Sequence, residues 1–246
     1  MSSSQSGIAQ NVVSMGVLIE KVTAFSTKYN PSRVEFTIVK LKEVKASAEA
    51  AIKAEGTASN AKKKSAAIRN LILKALVKLI TRSLNSLQIS GAMEKTIEQG
   101  EAIVRELRGQ RAEEKYSDEE IAAAKASGEE LKYNAMHYGT IDSKMDNIGK
   151  YIQLIETEPL YNPNEPELAT AAINDQYTAL KTAQADWNRT DVNLDTVRVK
   201  RDLVISGDIT GLCDIGAGVK KYVKSAFGPD SPEFKSLGDV KFRKNK

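Results

Sequence analysis

From Glu167 to Ser206 the chain contains neither proline nor glycine. A run of about 40 residues at about 1.5 Å rise each spans roughly 60 Å as one helix. That is longer than most globular helices and calls for an elongated bundle. Ile173, Tyr177, Leu180, Trp187 and Leu194 fall on one heptad seam of this run. The same seam carries Gln184, Asp191 and Arg198. Polar seam residues cost stability and can fix register or partner.

A second constraint is the stretch from Gly56 to Met93. It holds Lys62, Lys63, Lys64, Arg69, Lys74, Lys78 and Arg82 and no Asp or Glu. Inside it, Ala66 to Ile89 is apolar on a helical period, with Ile68, Leu71, Ile72, Ala75, Leu76 and Leu79 expected on one face, widened by Leu73, Val77, Ile80, Leu84 and Leu87. Lys74, Lys78 and Arg82 recur every four residues and make a basic edge. Acidic stretches follow, from Glu94 to Glu106 and from Glu113 to Glu130. Three readings of the basic face stand. It is a core helix whose cations pair with acidic helices, a surface for an anionic membrane, or a nucleic-acid contact. The Lys62-Lys63-Lys64 cluster lacks interleaved aromatics, which disfavours the last.

Taken in order, residues 1–7 are Ser-rich and read as a disordered N-terminus. A single bundle is expected over 8–227. Its first helix covers Ile8 to Lys28, with Val12, Met15, Val22 and Phe25 inward. Asn30-Pro31 caps a second, Pro31 to Ala54. Gly56 to Asn60 is a turn or a kink. The basic helix runs to about Ser90, and Ala92 to Leu107 continues helical. Residues 109–116 form a polar, mobile connection, and Ser117 with Glu120 makes a capping box. After His137, Ile141, Met145, Ile148, Ile152 and Ile155 alternate steps of four and three. A Pro-rich hairpin over 158–166 follows, with Asn164 and Glu167 capping the long helix. A shorter helix from Ile209 to Phe227 keeps Gly211, Gly216 and Gly218, consistent with close approach of another backbone. Residues 228–246 make a C-terminal arm. No period of 20 to 50 residues marks a solenoid.

The C-terminal third resembles a group of uncharacterised, all-helical bacterial proteins of similar length. The likeness is carried by Ile148 through EPLYNPNEPEL, Asn193 to Arg201, Asp208-Ile-Thr-Gly-Leu, and Val219 through KKYVKSAFGPDSPEFKSL, most specifically Tyr222 to Lys235. It covers about residues 141–243, implies an all-helical fold, and brings no activity or site residues.

Little catalytic chemistry is visible. His137 is the only histidine and Cys213 the only cysteine, so neither a disulfide nor a His-rich metal site can form within one chain. A di-iron bundle site needs two Glu-x-x-His motifs and is excluded. Gly216-Ala-Gly-Val-Lys-Lys lacks the spacing of a phosphate loop. No cofactor, metal or small-molecule substrate is implied. Net charge is +4, a small difference between 36 basic and 32 acidic residues. The N-terminus lacks a basic and an apolar segment, so it reads as no secretory signal. The expected location is cytoplasmic, with signal-less export open.

The expected fold is all-α: an elongated antiparallel bundle with coiled-coil-like packing, one helix of about 40 residues, a short C-terminal helix and an extended tail. The expected function is that of a non-enzymatic structural protein self-associating into a filament, tube or lattice through helical faces and the arm. Phe227, Phe234, Leu237, Val240 and Phe242 are the candidate contacts. The alternative is a membrane-acting protein resembling α-helical pore-forming toxins.

Overall fold

The computed structural model describes residues 3–110, 118–127 and 139–244, and all secondary structure among them is helical. The helices are α1 (Ser3–Ala24), α2 (Ile38–Gln88), α3 (Glu94–Leu107), α4 (Asp118–Ser127), α5 (Ile141–Glu156), α6 (Thr170–Ser206), α7 (Leu212–Phe227) and α8 (Pro232–Ser236). The chain divides into two compact units, Met1–Ser65 with Trp187–Lys246, and Ala66–Asp186. This differs from the single bundle expected over 8–227. Each unit closes around its own apolar core.

In the first unit α1 contributes Met15, Leu18, Ile19 and Val22, α2 contributes Leu41 and Ala48, and α7 contributes Leu212, Ile215, Val219 and Val223. In the second, Leu76, Ile80, Leu84 and Leu87 of α2 meet Val104 and Leu107 of α3. Ile148, Tyr151, Ile152 and Ile155 of α5 and Ile173 and Leu180 of α6 complete that core. The buried face of α2 keeps much of the one expected: Leu76, Ile80, Leu84 and Leu87 are buried, and Ile72, Leu73, Val77 and Leu79 pack against that core. Ile68, Leu71 and Ala75 of the expected face are exposed.

Several boundaries move. Helix α1 already begins at Ser3, inside the stretch expected to be disordered. Gly56 to Asn60 lies within α2 without interruption, because an exposed mid-helix glycine costs only about 1 kcal/mol. Helix α7 starts at Leu212. Ahead of it Ile209 sits at φ +68°, a strained setting for a β-branched residue. Its N–H donates to Asp214 Oδ2 (2.9 Å), and Lys244 Nζ ties Asp214 and Asp208 together. Of the mobile connection expected over 109–116, Gly109 and Gln110 cap α3 by donating to the carbonyls of Glu106 (2.8 Å) and Arg105 (3.0 Å). Residues 111–116, the capping-box Ser117 and His137 lie outside the described residues.

Both long helices start late for one shared reason. Tyr29-Asn30-Pro31 and Tyr161-Asn162-Pro163 each lead into a 3-10 turn, Val34–Phe36 and Pro166–Leu168. In each, the tyrosine hydroxyl donates to the carbonyl seven residues on, Tyr29 to Phe36 (2.6 Å) and Tyr161 to Leu168 (2.7 Å). This clamp folds the connection back before the helix begins, so Asn164 and Glu167 do not cap α6 as expected. Glu167 instead pairs with Arg82 of α2 (2.7 Å).

The likeness extends to either side. Met15, Leu18, Ile19 and Val22 share their spacing and burial with Ile148, Tyr151, Ile152 and Ile155. Each set follows a buried polar residue, Ser14 or Asn147, and encloses a glycine, Gly16 or Gly149. Beyond the clamps, Leu41 and Ala48 correspond to Ile173 and Leu180, all fully buried. Each long helix reaches an Ile-Ser-Gly, at 89–91 and 205–207. The chain thus carries one motif twice, its tyrosines 132 residues apart. That spacing is too long for a solenoid period.

The copies have diverged. Tyr161 gives its proton to Leu168, so at the contact with Ser83 Oγ (2.6 Å) the serine donates. Ser83 in turn accepts from Tyr151 (2.9 Å). Burial holds both phenols protonated. The Tyr29 clamp of the first unit has no such extension among the described residues.

Polar seam residues set the pairing of α2 with α6. In the first unit Glu55 takes Arg198 (3.3 Å) and Arg201, and Lys62 takes Asp191. In the second, Arg69 donates to Gln184 (3.0 Å). The partners step forward by sevens on α2 and back by sevens on α6, as antiparallel heptads require. Glu55 and Arg201 are both buried.

The expected arm is part of the first unit. Leu237 and Val240 are buried in its core, and Phe227, Phe234 and Phe242 pack against it. Asn11 clasps Arg243 through both its N–H (2.9 Å) and its carbonyl (2.7 Å). Gly216 and Gly218 make room for rings rather than for a backbone: a Cβ there would overlap Phe242 or Phe36.

Truncation after Gly228 is therefore expected to destabilise the first unit. Loss of Leu237 and Val240 alone costs on the order of 4 kcal/mol, at about 2 kcal/mol for each buried side chain. Urea unfolding followed by circular dichroism checks this; an unchanged midpoint would contradict the assignment. Glu55 gives a second test. Burial raises its carboxyl pKa, but hydrogen bonds and charge from Arg201 and Arg198 outweigh that, so it lies below its ordinary 4.5. A lowered carboxylate contributes stability that is present above the unfolded value and lost as pH falls through the folded one. Glu55→Gln should cost about 3 kcal/mol at neutral pH. It should also flatten the fall in urea midpoint below about pH 4.5.

Candidate self-association surface

Helix α6 carries two seams. The inward one runs Ile173, Tyr177, Leu180, Gln184, Trp187, Asp191, Leu194, Arg198, Arg201 and Ile205, alternating steps of four and three. It faces α2 and the two cores. On the opposite side of its first-unit segment lie Val192, Thr196, Val199 and Leu203, spaced four, three and four. This outward row has the a/d spacing of a coiled coil. Val192 is 67% exposed, Val199 61% and Leu203 62%, so none contributes to the core. Thr196 donates its hydroxyl to the Val192 carbonyl (2.9 Å), so covering it leaves no unpaired donor.

The flanks of this row differ in charge. Asp195 and Asp202 lie along one edge and Lys200 along the other. Asp195 is 68% exposed while touching Arg198 of its own helix (3.5 Å). Lys200 is exposed and makes no ion pair among the described residues. In a parallel pair of such helices, the residue at one edge meets the residue five further on at the partner's opposite edge. Asp195 and Lys200 have that separation.

The two groups of residues singled out from sequence fare differently. Of the five tail residues, Leu237 and Val240 belong to the core of the first unit, and Phe227, Phe234 and Phe242 pack against it half-buried. The seven cations divide. Lys62 is engaged by Asp191 and lies 5.6 Å from the Trp187 ring centroid. Arg69 and Arg82 also reach across to other elements. Lys63, Lys64, Lys74 and Lys78 are exposed and pair with nothing among the described residues. The outward row escaped the sequence reading because the inward seam was the longer match. Its signal was the valines at 192 and 199 with a leucine four beyond.

Elsewhere the surface offers little chemistry. A shallow hollow between α3 and α5 is lined by Ala102, Ile103, Leu154 and Thr157 with Gln99, Lys150 and Gln153. Cys213 is buried, with its thiol pushed up to about 11 by burial, and it donates weakly to the Arg243 carbonyl. Among the described residues no three of His, Cys, Asp and Glu gather as a metal site requires, and no helix is long and apolar enough to cross a membrane.

No protein family, curated protein or solved structure matches this chain.

Lys62→Ala is expected to lower stability by about 1 kcal/mol, through a half-buried ion pair and a ring contact. Lys74→Ala should stay within about 0.5 kcal/mol. Parallel urea titrations separate the two; equal losses would contradict the division of the basic face.

Proposed function

We propose that this chain is a non-enzymatic structural protein that self-associates through the outward row of α6. The reading rests on the heptad-spaced, exposed Val192, Thr196, Val199 and Leu203, flanked by opposite charges at the separation that parallel pairing uses. An apolar row with charged borders on a rigid helix is a self-complementary surface. Two copies brought together in parallel cover the row and set Asp195 of each against Lys200 of the other. The row is short, so the association is weak and concentration-dependent. Repetition of the contact through other faces would build a filament or lattice.

Light scattering and sedimentation velocity across concentration test this. The expected result is growth of the particle with concentration, abolished by Val199→Glu with Leu203→Glu at unchanged helical content. Asp195→Lys alone should weaken association about fivefold, from two like-charge pairs at roughly 0.5 kcal/mol each. Adding Lys200→Asp should restore it. A monomer at every concentration would overturn the reading.

A further inference from the structure

We infer that the outward face of α2 in the second unit docks on an anionic lipid bilayer. Ile68, Leu71, Ala75 and Lys78 are spaced three, four and three residues and so share one face, with Lys74 on its flank. Ile68 is 46% exposed and Leu71 70%, although both lie in the most apolar part of the helix. Lys74 and Lys78 are exposed and make no ion pair or hydrogen bond among the described residues. Other elements draw off the remaining cations of this segment, Arg69 to Gln184 and Arg82 to Glu167, leaving these two for solvent. No carboxylate occurs on α2 after Glu55.

Three occupants could cover such a face, and the residues discriminate among them. A second copy of the chain would bring Lys74 and Lys78 against their own counterparts, a like-charge contact that association avoids. A nucleic acid would satisfy the lysines but leave Ile68 and Leu71 idle, for the face offers no aromatic ring on which a base could stack. A bilayer with anionic headgroups uses both. The helix lies in the plane of the interface, its leucine and isoleucine enter the acyl boundary, and the lysine stems run along them with ammonium groups at phosphate level. No crossing of the membrane is involved.

The test is co-sedimentation of the full chain with vesicles of phosphatidylcholine alone or mixed with phosphatidylserine. Binding is expected only to the mixed vesicles and should weaken as salt rises. Each lysine near an anionic surface contributes about fivefold in partitioning, so Lys74→Gln with Lys78→Gln should reduce it about 25-fold. Lys74→Arg with Lys78→Arg should keep it. Leu71→Asn should reduce it about tenfold without lowering the urea midpoint, since Leu71 is exposed. Absence of binding to the mixed vesicles overturns the inference. So does binding that Leu71→Asn leaves unchanged, or equal retention by a single-stranded RNA, either of which would make the face a general polyanion contact.

Discussion

The pairing of α2 with α6 depends on charged groups kept where apolar ones would pack. Glu55 with Arg198 and Arg201, and Lys62 with Asp191, stand on heptad positions of an otherwise apolar contact in the first unit. A uniformly apolar seam between two long helices tolerates sliding by a heptad, because each position then meets an equivalent one. Slipping this seam by seven residues would set Lys62 against Arg198, and the burial of Glu55 and Arg201 makes any mismatch costly. Gln184 and Arg69 repeat the device with a neutral partner in the second unit. Everything else in each unit hangs on that choice, since α1, α3, α5 and α7 pack on helices whose alignment is already decided.

Much of this was legible in the residues. Heptad steps placed α5 and the inward seam of α6, and the absence of Pro and Gly announced the long helix. What misled was local chemistry with a distant cause. Asn-Pro and Asn-Pro-Asn-Glu look like helix caps, yet in both places a tyrosine upstream holds the carbonyl that a nascent helix would have used. The tail looked like an arm because its apolar residues are few and scattered among Lys, Gly and Pro. The structure puts Leu237 and Val240 into a core formed by α1 and α7, whose share no pattern within the tail could disclose.

The basic stretch shows the same division at the level of a site. Periodicity gave a broad apolar face and a basic edge, but it could not say which part of a long amphipathic face is covered. Coverage depends on the other helices of the unit, whose core takes in Leu76 and packs against Ile72 and Leu73 but leaves Leu71 in solvent. Likewise the row from Val192 to Leu203 becomes visible only when the other side of α6 is seen to be already occupied.

The doubled motif bears on how the chain emerges from the ribosome. The second unit is one uninterrupted stretch, Ala66–Asp186, and holds all its core partners once that stretch is synthesised. The first unit is not so favoured. Met15 and Leu18 leave the exit tunnel early, but the groups that cover them, such as Val219 and Leu237, come roughly two hundred residues later. The clasp of Asn11 on Arg243 closes over a separation of 232 residues. With only α2 residues such as Leu41 and Ala48 to meet it, α1 therefore waits for the rest of its core until after the younger copy of the same motif has been made.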